Sequence, residues 1–384
     1  MVYHNYRFNL NKYQRQRPSK GPKTALCIPC KGIDCDFERN ITSFFQQEYN
    51  NYILRFVVED SDDPAYEKLC ELKDKFRSAS KASDIEILIA GRNMSGNCSQ
   101  KNHNLLYCCA GVMDKVEALA FADSDICVST DWLSHLVYPL RQQKNGVSSG
   151  YRWFIPKNNI TPELALSALN AKVAQLLGNT RFNQVWGGAM AIRTEVFKTL
   201  NIDKIWSKTI SDDLSLSYAV KKAGYKVAFV PACLAASYEG INWKGLFEFG
   251  RRQFLITRVS AGSTWLTGLL GAILSVFGPI ITAGIAIYSS QRSTFQLSYI
   301  IHSVPPLLFG MQFLEALLRQ NMIRQMLCEY REKMKKASVF DLMLFWPMSC
   351  LLLLIIITSA FGRTIRWRGI RYKLLGPAET LMLD

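Results

Sequence analysis

Two hydrophobic rhythms take turns along the first two thirds of the chain. Predominantly apolar runs at 24–28, 53–58, 85–90 and 118–122 have the length of buried strands. Between them, positions 37–47, 64–76 and the stretch through Leu105, Leu106 and Cys109 carry apolar residues at helical spacing. Pro29 and Gly32 stop the first run, and Pro64 opens the second helix. The alternation continues with a strand at 146–151, a helix at 162–177, a strand at 188–192, a helix at 214–223 and a strand at 226–230. Strands and helices in alternation predict an α/β domain over 23–240, with a mostly parallel sheet covered on both faces. Polar residues cluster just past the C-terminal ends of these strands, where open sheets of this kind bind ligands.

Beyond residue 240 the pattern changes. Positions 246–260 mix Phe247, Phe249, Phe254, Leu255 and Ile256 with Arg251, Arg252 and Arg258, the composition of a helix lying in a membrane interface. The run 265–288 is uncharged and long enough to cross a bilayer. A second candidate, 297–318, is expected to bend at Pro305-Pro306 and carries Glu315 near one end; a third, 340–361, contains Pro347. Arg319, Arg324, Arg331, Lys333, Lys335 and Lys336 precede the third run, and Arg363, Arg366, Arg368, Arg371 and Lys373 follow it. Both clusters ask for the cytosolic side. A simple third span would separate them, so this run reads as re-entrant around Pro347, with a true span and an external basic tail as the alternative. The domains expected are a basic flexible arm at 1–22, the 23–240 domain, an interfacial segment at 241–262, a membrane domain at 263–374 with two to three helices, and a tail at 375–384.

The net charge of +15 sharpens this picture because it is uneven. Arg7, Lys12, Arg15, Arg17, Lys20 and Lys23 stand in the first two dozen residues with no acid among them, a placement suited to lipid headgroups or phosphates. No zinc-finger or RNA-recognition signature occurs, so no nucleic-acid partner is expected. The N-terminus lacks an apolar run and reads as having no signal peptide. The eleven cysteines follow no disulfide spacing, and Cys27-Ile28-Pro29-Cys30 ends a strand rather than opening a helix, which reads as structural.

The chemistry centres on Asp123-Ser124-Asp125, directly after the 118–122 strand. On a continuing strand the two carboxylates share one side and repel unless a cation lies between them. Mg²⁺ or Mn²⁺ bound by these carboxylates and substrate phosphates would relieve that repulsion; a solvated turn is the plain alternative. Asp60 ends the second strand, where it could accept from a nucleoside or cap the helix after Pro64. Asp212-Asp213 stands at a helix start, as caps or as a general base. Arg251 and Arg252 could neutralise a leaving diphosphate or touch headgroups.

Taken in order, these motifs resemble the inverting glycosyltransferase family 2 pattern, and within it the ceramide glucosyltransferases and their bacterial relatives. The resemblance rests on Pro29-Cys30-Lys31-Gly32-Ile33-Asp34, Val58-Glu59-Asp60-Ser61-Asp62-Asp63-Pro64-Ala65, Ser99-Gln100-Lys101-Asn102-His103-Asn104-Leu105, Ala122-Asp123-Ser124-Asp125, Ile210-Ser211-Asp212-Asp213 and Ile365-Arg366-Trp367-Arg368-Gly369-Ile370-Arg371-Tyr372. It implies a GT-A type nucleotide-sugar-binding fold, a UDP-sugar donor, a divalent metal, a lipid acceptor and a catalytic domain facing the cytoplasm. Residue by residue, it makes Asp60 the uridine contact, Asp123 and Asp125 the metal and diphosphate carboxylates, and Asp213 the catalytic base beside Asp212. Pro29, Lys31, Gly32, Lys101 and Asn104 fall on the nucleotide-sugar side. Gly250-Arg251-Arg252-Gln253-Phe254 stands in place of the family's membrane-proximal signature, and Trp186-Gly187-Gly188 shapes the acceptor or sugar pocket where animal ceramide enzymes carry a histidine. Ceramide, diacylglycerol and hopanoid acceptors all fit. A processive polysaccharide synthase and a non-catalytic nucleotide-sugar sensor are the alternatives.

Overall fold

The computed structural model describes residues 1–13, 15–34, 36–289, 295–367 and 370–383. These form two compact units: Arg7–Trp153, Leu177–Ser237 and Arg363–Asp384 in one, and Met1–Tyr6, Phe154–Leu176 and Tyr238–Gly362 in the other.

The first unit is built on a seven-stranded sheet. Its strands are β1 (Thr24–Pro29), β2 (Tyr52–Val58), β3 (Asp84–Ile89), β4 (Ala118–Ala122), β5 (Asn145–Pro156), β6 (Ala189–Arg193) and β7 (Lys226–Glu239). Their order across the sheet is β3-β2-β1-β4-β6-β5-β7. The first four strands run parallel, and β6 is antiparallel to both β4 and β5. The central strands are buried on both faces, and alternate residues feed separate cores. Leu26, Ile28, Ala120 and Ala122 pack on one side, while Ala25, Cys27, Leu119 and Phe121 pack on the other. Cys27 and Cys30 therefore face different cores, and both are free thiols.

Two segments depart from the pattern reading. Residues expected to be a flexible arm include a helix, Val2–Tyr13. It is too polar to show an apolar stripe and is held by amides instead: Asn5 Nδ2 donates to Leu176 O at 2.9 Å, and Asn9 Nδ2 to Leu177 O at 3.1 Å. The RWRG motif, expected in the membrane domain, begins in a second sheet of the first unit. That sheet comprises antiparallel β8 (Thr364–Trp367), β9 (Ile370–Gly376) and β10 (Glu379–Met382). Arg366 and Trp367 end β8, whereas Arg368 and Gly369 lie outside the described residues. Thr380 N–H donates to Lys208 O at 2.7 Å, so this sheet is tied back to the loop before Asp212.

The second unit is helical. Trp243–Ser260 is followed by Gly262–Ser289 and Phe295–Met326, and the last runs through Pro305 and Pro306 as one helix. Gly262–Ser289 and Ile300–Met326 are long and apolar enough to cross a membrane. The third apolar run is two helices, Lys335–Met343 and Phe345–Ser359, bent by 84° at the break. Pro347 lies in the first turn of the second, where its missing N–H leaves no hydrogen bond unmade. Arg251 and Arg258 satisfy the far end of this helix. Arg251 donates to Thr358 O at 3.3 Å and Phe361 O at 2.9 Å, and Arg258 donates to Ala360 O and Gly362 O.

Candidate active site

Parallel pairing of β2, β1 and β4 places the loops after all three strands at the same sheet edge. Because β6 runs the other way and Ala122 pairs with Ala189, Trp186-Gly187-Gly188 reaches that same edge. Asp60, Lys31, Asp123 and this loop are thus neighbours by topology.

Strand β4 ends at Ala122, so Asp123-Ser124-Asp125 is a turn and not the expected strand continuation. The last strand-like contact is Asp123 N–H to Gly188 O at 3.4 Å. Ser124 is buried and faces the Cys30 side chain, which leaves the carboxylates on either side of it outward. The two acids stay electrostatically close through the turn rather than through the pleat. Enclosure by the site's walls, then the charge of Asp123, push Asp125 up to about 6 against the pull of Arg152 and Lys101, although its outer edge meets solvent.

Lys101 sits in the first turn of helix Gln100–Ala110, whose start is capped by Ser99. Its ammonium lies 2.6 Å from Asp123 Oδ1 and 3.0 Å from Asp212 Oδ2. Burial opposes its charge, but Asp123 and Asp212, with Asp213 beyond, outweigh that and push its pKa up. Lys101 therefore bridges the two carboxylates.

Asp212 and Asp213 open helix Asp212–Lys222, with Ser211 as its cap. Asp213 accepts three hydrogen bonds: from Ser211 Oγ at 2.5 Å, Leu214 N–H at 2.7 Å and Gly187 N–H at 3.2 Å. It is only partly buried, whereas Asp212 is 4% exposed and faces inward. Burial, countered by Lys101 and reinforced by Asp213 and Asp123, pushes Asp212 up to about 6. Its Oδ2 is buried and pairs with Lys101 without hydrogen-bond geometry, so acceptor capacity is left over. Gly187 packs on this carboxylate, and a Cβ there would come within 2.4 Å of Oδ2. The loop carrying it is pinned by Ser217 Oγ, which accepts from Val185 N–H at 2.8 Å, and by Ser149 Oγ, which accepts from Trp186 N–H at 2.9 Å. Arg152 stacks 5.2 Å over the Trp186 ring.

Among the residues expected to contact the nucleotide, Asp60 is exposed, and Asp63 is the cap of helix Pro64–Phe76, which removes the capping explanation for Asp60. Asp63 Oδ1 also accepts from Gly32 N–H at 2.8 Å, with Gly32 at φ 67, so the loops after β1 and β2 are tied together below Pro29. Lys31 is exposed and pairs with Glu59 at 3.0 Å. Asn104 is buried instead: its oxygen accepts from Gln100 at 2.8 Å, and Gln100 also donates to Gly91 O, so Asn104 supports the loop after β3. Arg251, Arg252, Gln253 and Phe254 belong to helix Trp243–Ser260 of the other unit. Arg251 is committed to carbonyls there, and Arg252 lies 5.5 Å over Phe249.

Arg152 and Ser211 were not among the sequence candidates. Ser211 carries a legible cap signal two residues before Asp213. Arg152 sits mid-strand in β5 with no local motif to mark it.

The donor set fits a divalent cation that keeps several non-protein ligands. Among the described residues no group of three or more His, Cys, Asp or Glu side chains forms a protein-only cage. Two carboxylates and diphosphate oxygens would complete the shell in the manner usual for Mg²⁺ and Mn²⁺.

The sequence matches the model of glycosyl transferase family 21 over residues 1–378. The chain belongs to glycosyltransferase family 21. The motif resemblance pointed to family 2, and the family 21 match now supplies the assignment. Among solved structures, a mannosyltransferase from Pyrobaculum calidifontis in complex with GDP-Man and Mn²⁺ is similar at 11% identity, with TM-score 0.48, covering 94% of this chain and 92% of that one. GalNAc-T7 with UDP, GalNAc and Mn²⁺ is similar at 14% identity, with TM-score 0.38, covering 60% and 48%.

Proposed function

We propose that this family 21 protein is a membrane-bound inverting glycosyltransferase that moves a hexose, glucose being the first candidate, from a UDP-sugar to a lipid hydroxyl. The observation that carries the reading is the gathering of Asp123 and Asp212 on one ammonium, with Asp213 open beside them. Asp60 accepts from the uridine, and Lys31 stands at the mouth of the same sheet edge. A divalent cation, Mg²⁺ or Mn²⁺, held by Asp123 and Asp125 would stabilise the charge of the leaving diphosphate.

Asp213 takes the proton of the acceptor hydroxyl as its oxygen bonds the anomeric carbon, while the carbon–phosphate oxygen bond on the opposite face breaks and releases UDP. Asp213 suits this task because its carboxylate is fixed by three donors yet open. Asp212, turned inward, orients Lys101. Trp186 and the two glycines wall the sugar side. On this reading the catalytic unit faces the cytoplasm, with ceramide, diacylglycerol or a hopanoid as acceptor; the two helices of spanning length and their basic flanks support it.

Asp213→Asn should abolish UDP release from UDP-glucose in the presence of detergent-solubilised lipid, and EDTA should do the same to the wild type, while UDP binding by the variant stays near wild type. Retained turnover in the variant overturns the base assignment. No release with any sugar or lipid tried favours a nucleotide-sugar sensor, and a growing chain of sugars favours a polysaccharide synthase.

A further inference from the structure

The helical unit is apolar over most of its length, yet four of its helices meet on a chain of polar side chains. Lys172 Nζ, on helix Thr161–Ala174, donates to Ser349 Oγ at 2.9 Å. Ser349 Oγ lies 3.2 Å from Ser275 Oγ in the first span. Ser275 Oγ donates to Gln312 Oε1 at 2.8 Å, and Gln312 Nε2 returns to Ser275 O at 2.9 Å.

One turn along the second span from Gln312 stands Glu315, and one further turn on is Arg319. Arg319 is spent: it is buried, its Nε and Nη2 each meet Asp341 at 2.6 Å, and Gln320 joins the same carboxylate at 2.7 Å. Lys172 and Glu315 are not. An ammonium has three donors and Lys172 uses one on Ser349, while the partly exposed Glu315 carboxylate accepts no hydrogen bond among the described residues. Burial, then the charge of Arg319, push Lys172 down to about 8, so its remaining donors are poorly solvated.

Helix–helix adhesion accounts for Ser275 and Gln312 but not for two charges with unused hydrogen-bonding capacity beside them. The pair is balanced, as is Arg319 with Asp341, so a headgroup of either net charge would leave an uncompensated ion in an apolar setting. We propose that Lys172 and Glu315, held beside the Ser275–Gln312 lock, form a recognition site for the headgroup of a neutral lipid with free hydroxyls. Glu315 accepts from a hydroxyl, and Lys172 donates to a hydroxyl or amide oxygen. That this lipid is the sugar acceptor rests on the reading above; the lipid site itself does not.

The test uses the full chain in phosphatidylcholine nanodiscs, a fluorescent short-chain ceramide as probe, and the same probe with its hydroxyls methylated. Methylation should weaken binding to the wild type by about tenfold, as should Glu315→Gln and Lys172→Met, with UDP binding unchanged in both variants. Equal binding of the methylated probe overturns the site without recourse to any variant, and so does wild-type affinity in both variants. Hydroxyl- and Glu315-dependent binding with no glycosylated probe formed from UDP-glucose supports the lipid site and refutes its role as acceptor site. Glycosylation with an unchanged KM for the probe in Glu315→Gln overturns the site and leaves the proposed function standing.

Discussion

Gly187 has no room for a side chain. A Cβ would stand 2.4 Å from Asp212 Oδ2 and 3.0 Å from its Cγ, so alanine must swing the carboxylate off Lys101. The displaced group is a side-chain tip, hence Gly187→Ala should fold and melt close to wild type while kcat/KM falls about a hundredfold. A variant with full activity would show that the clamp on Lys101 is dispensable. Asp212 makes a second prediction at this scale. Its carboxyl is raised to about 6, above the ordinary aspartate value of about 4. The folded chain therefore holds a proton that the unfolded chain releases. Its contribution to stability is full below pH about 4 and drains as pH rises through about 6. In metal-free buffer, thermal stability measured across that window should fall less steeply for Asp212→Asn than for the wild type. The carboxylates were legible as residues because they stand in short polar motifs at strand ends. Their partners were not: that Lys101 would bridge two of them depends on distances closed only when helices Gln100–Ala110 and Asp212–Lys222 meet, and that Asn104 would turn inward depends on which face of its helix the fold buries.

Elements were legible wherever a hydrophobic period marked them. Strands β1 to β4 and β6 match the apolar runs within a few residues; β1, β2, β4 and β6 are buried along nearly their whole length and so are largely apolar, whereas β3 lies at the sheet edge and is only partly buried. The helix Val2–Tyr13 and the sheet β8–β10 were not. One is held by asparagine amides, and in the other β8 and β10 have four residues each, too few to show alternation. Arg251 and Arg258 illustrate a related loss, since a basic residue near a membrane reads as a headgroup contact until its carbonyl partners are seen. Both cap the C-terminal end of Phe345–Ser359, where positive charge also favours the helix dipole. Arg258→Ala should loosen residues 355–361 by about 1 kcal/mol, seen as faster amide exchange there with Gly262–Ser289 unchanged. Unchanged exchange at 355–361 would remove the capping role.

For the whole molecule, two helices of spanning length imply that the protein stays in the membrane pellet after an alkaline carbonate wash, and release into the supernatant would contradict that. The broken third run adds something the spans do not. Phe345–Ser359 has 15 residues, about 22 Å at a helical rise, short of a hydrocarbon core of about 30 Å. With an 84° bend at its start, the run is a broken span or a re-entrant loop, and only a re-entrant loop would enter and leave by one surface. A re-entrant helix of this length would displace lipid from a single leaflet. Reconstituted into vesicles of mixed diameter, a re-entrant form should concentrate in the more strongly curved ones, whereas an even distribution would favour a broken span.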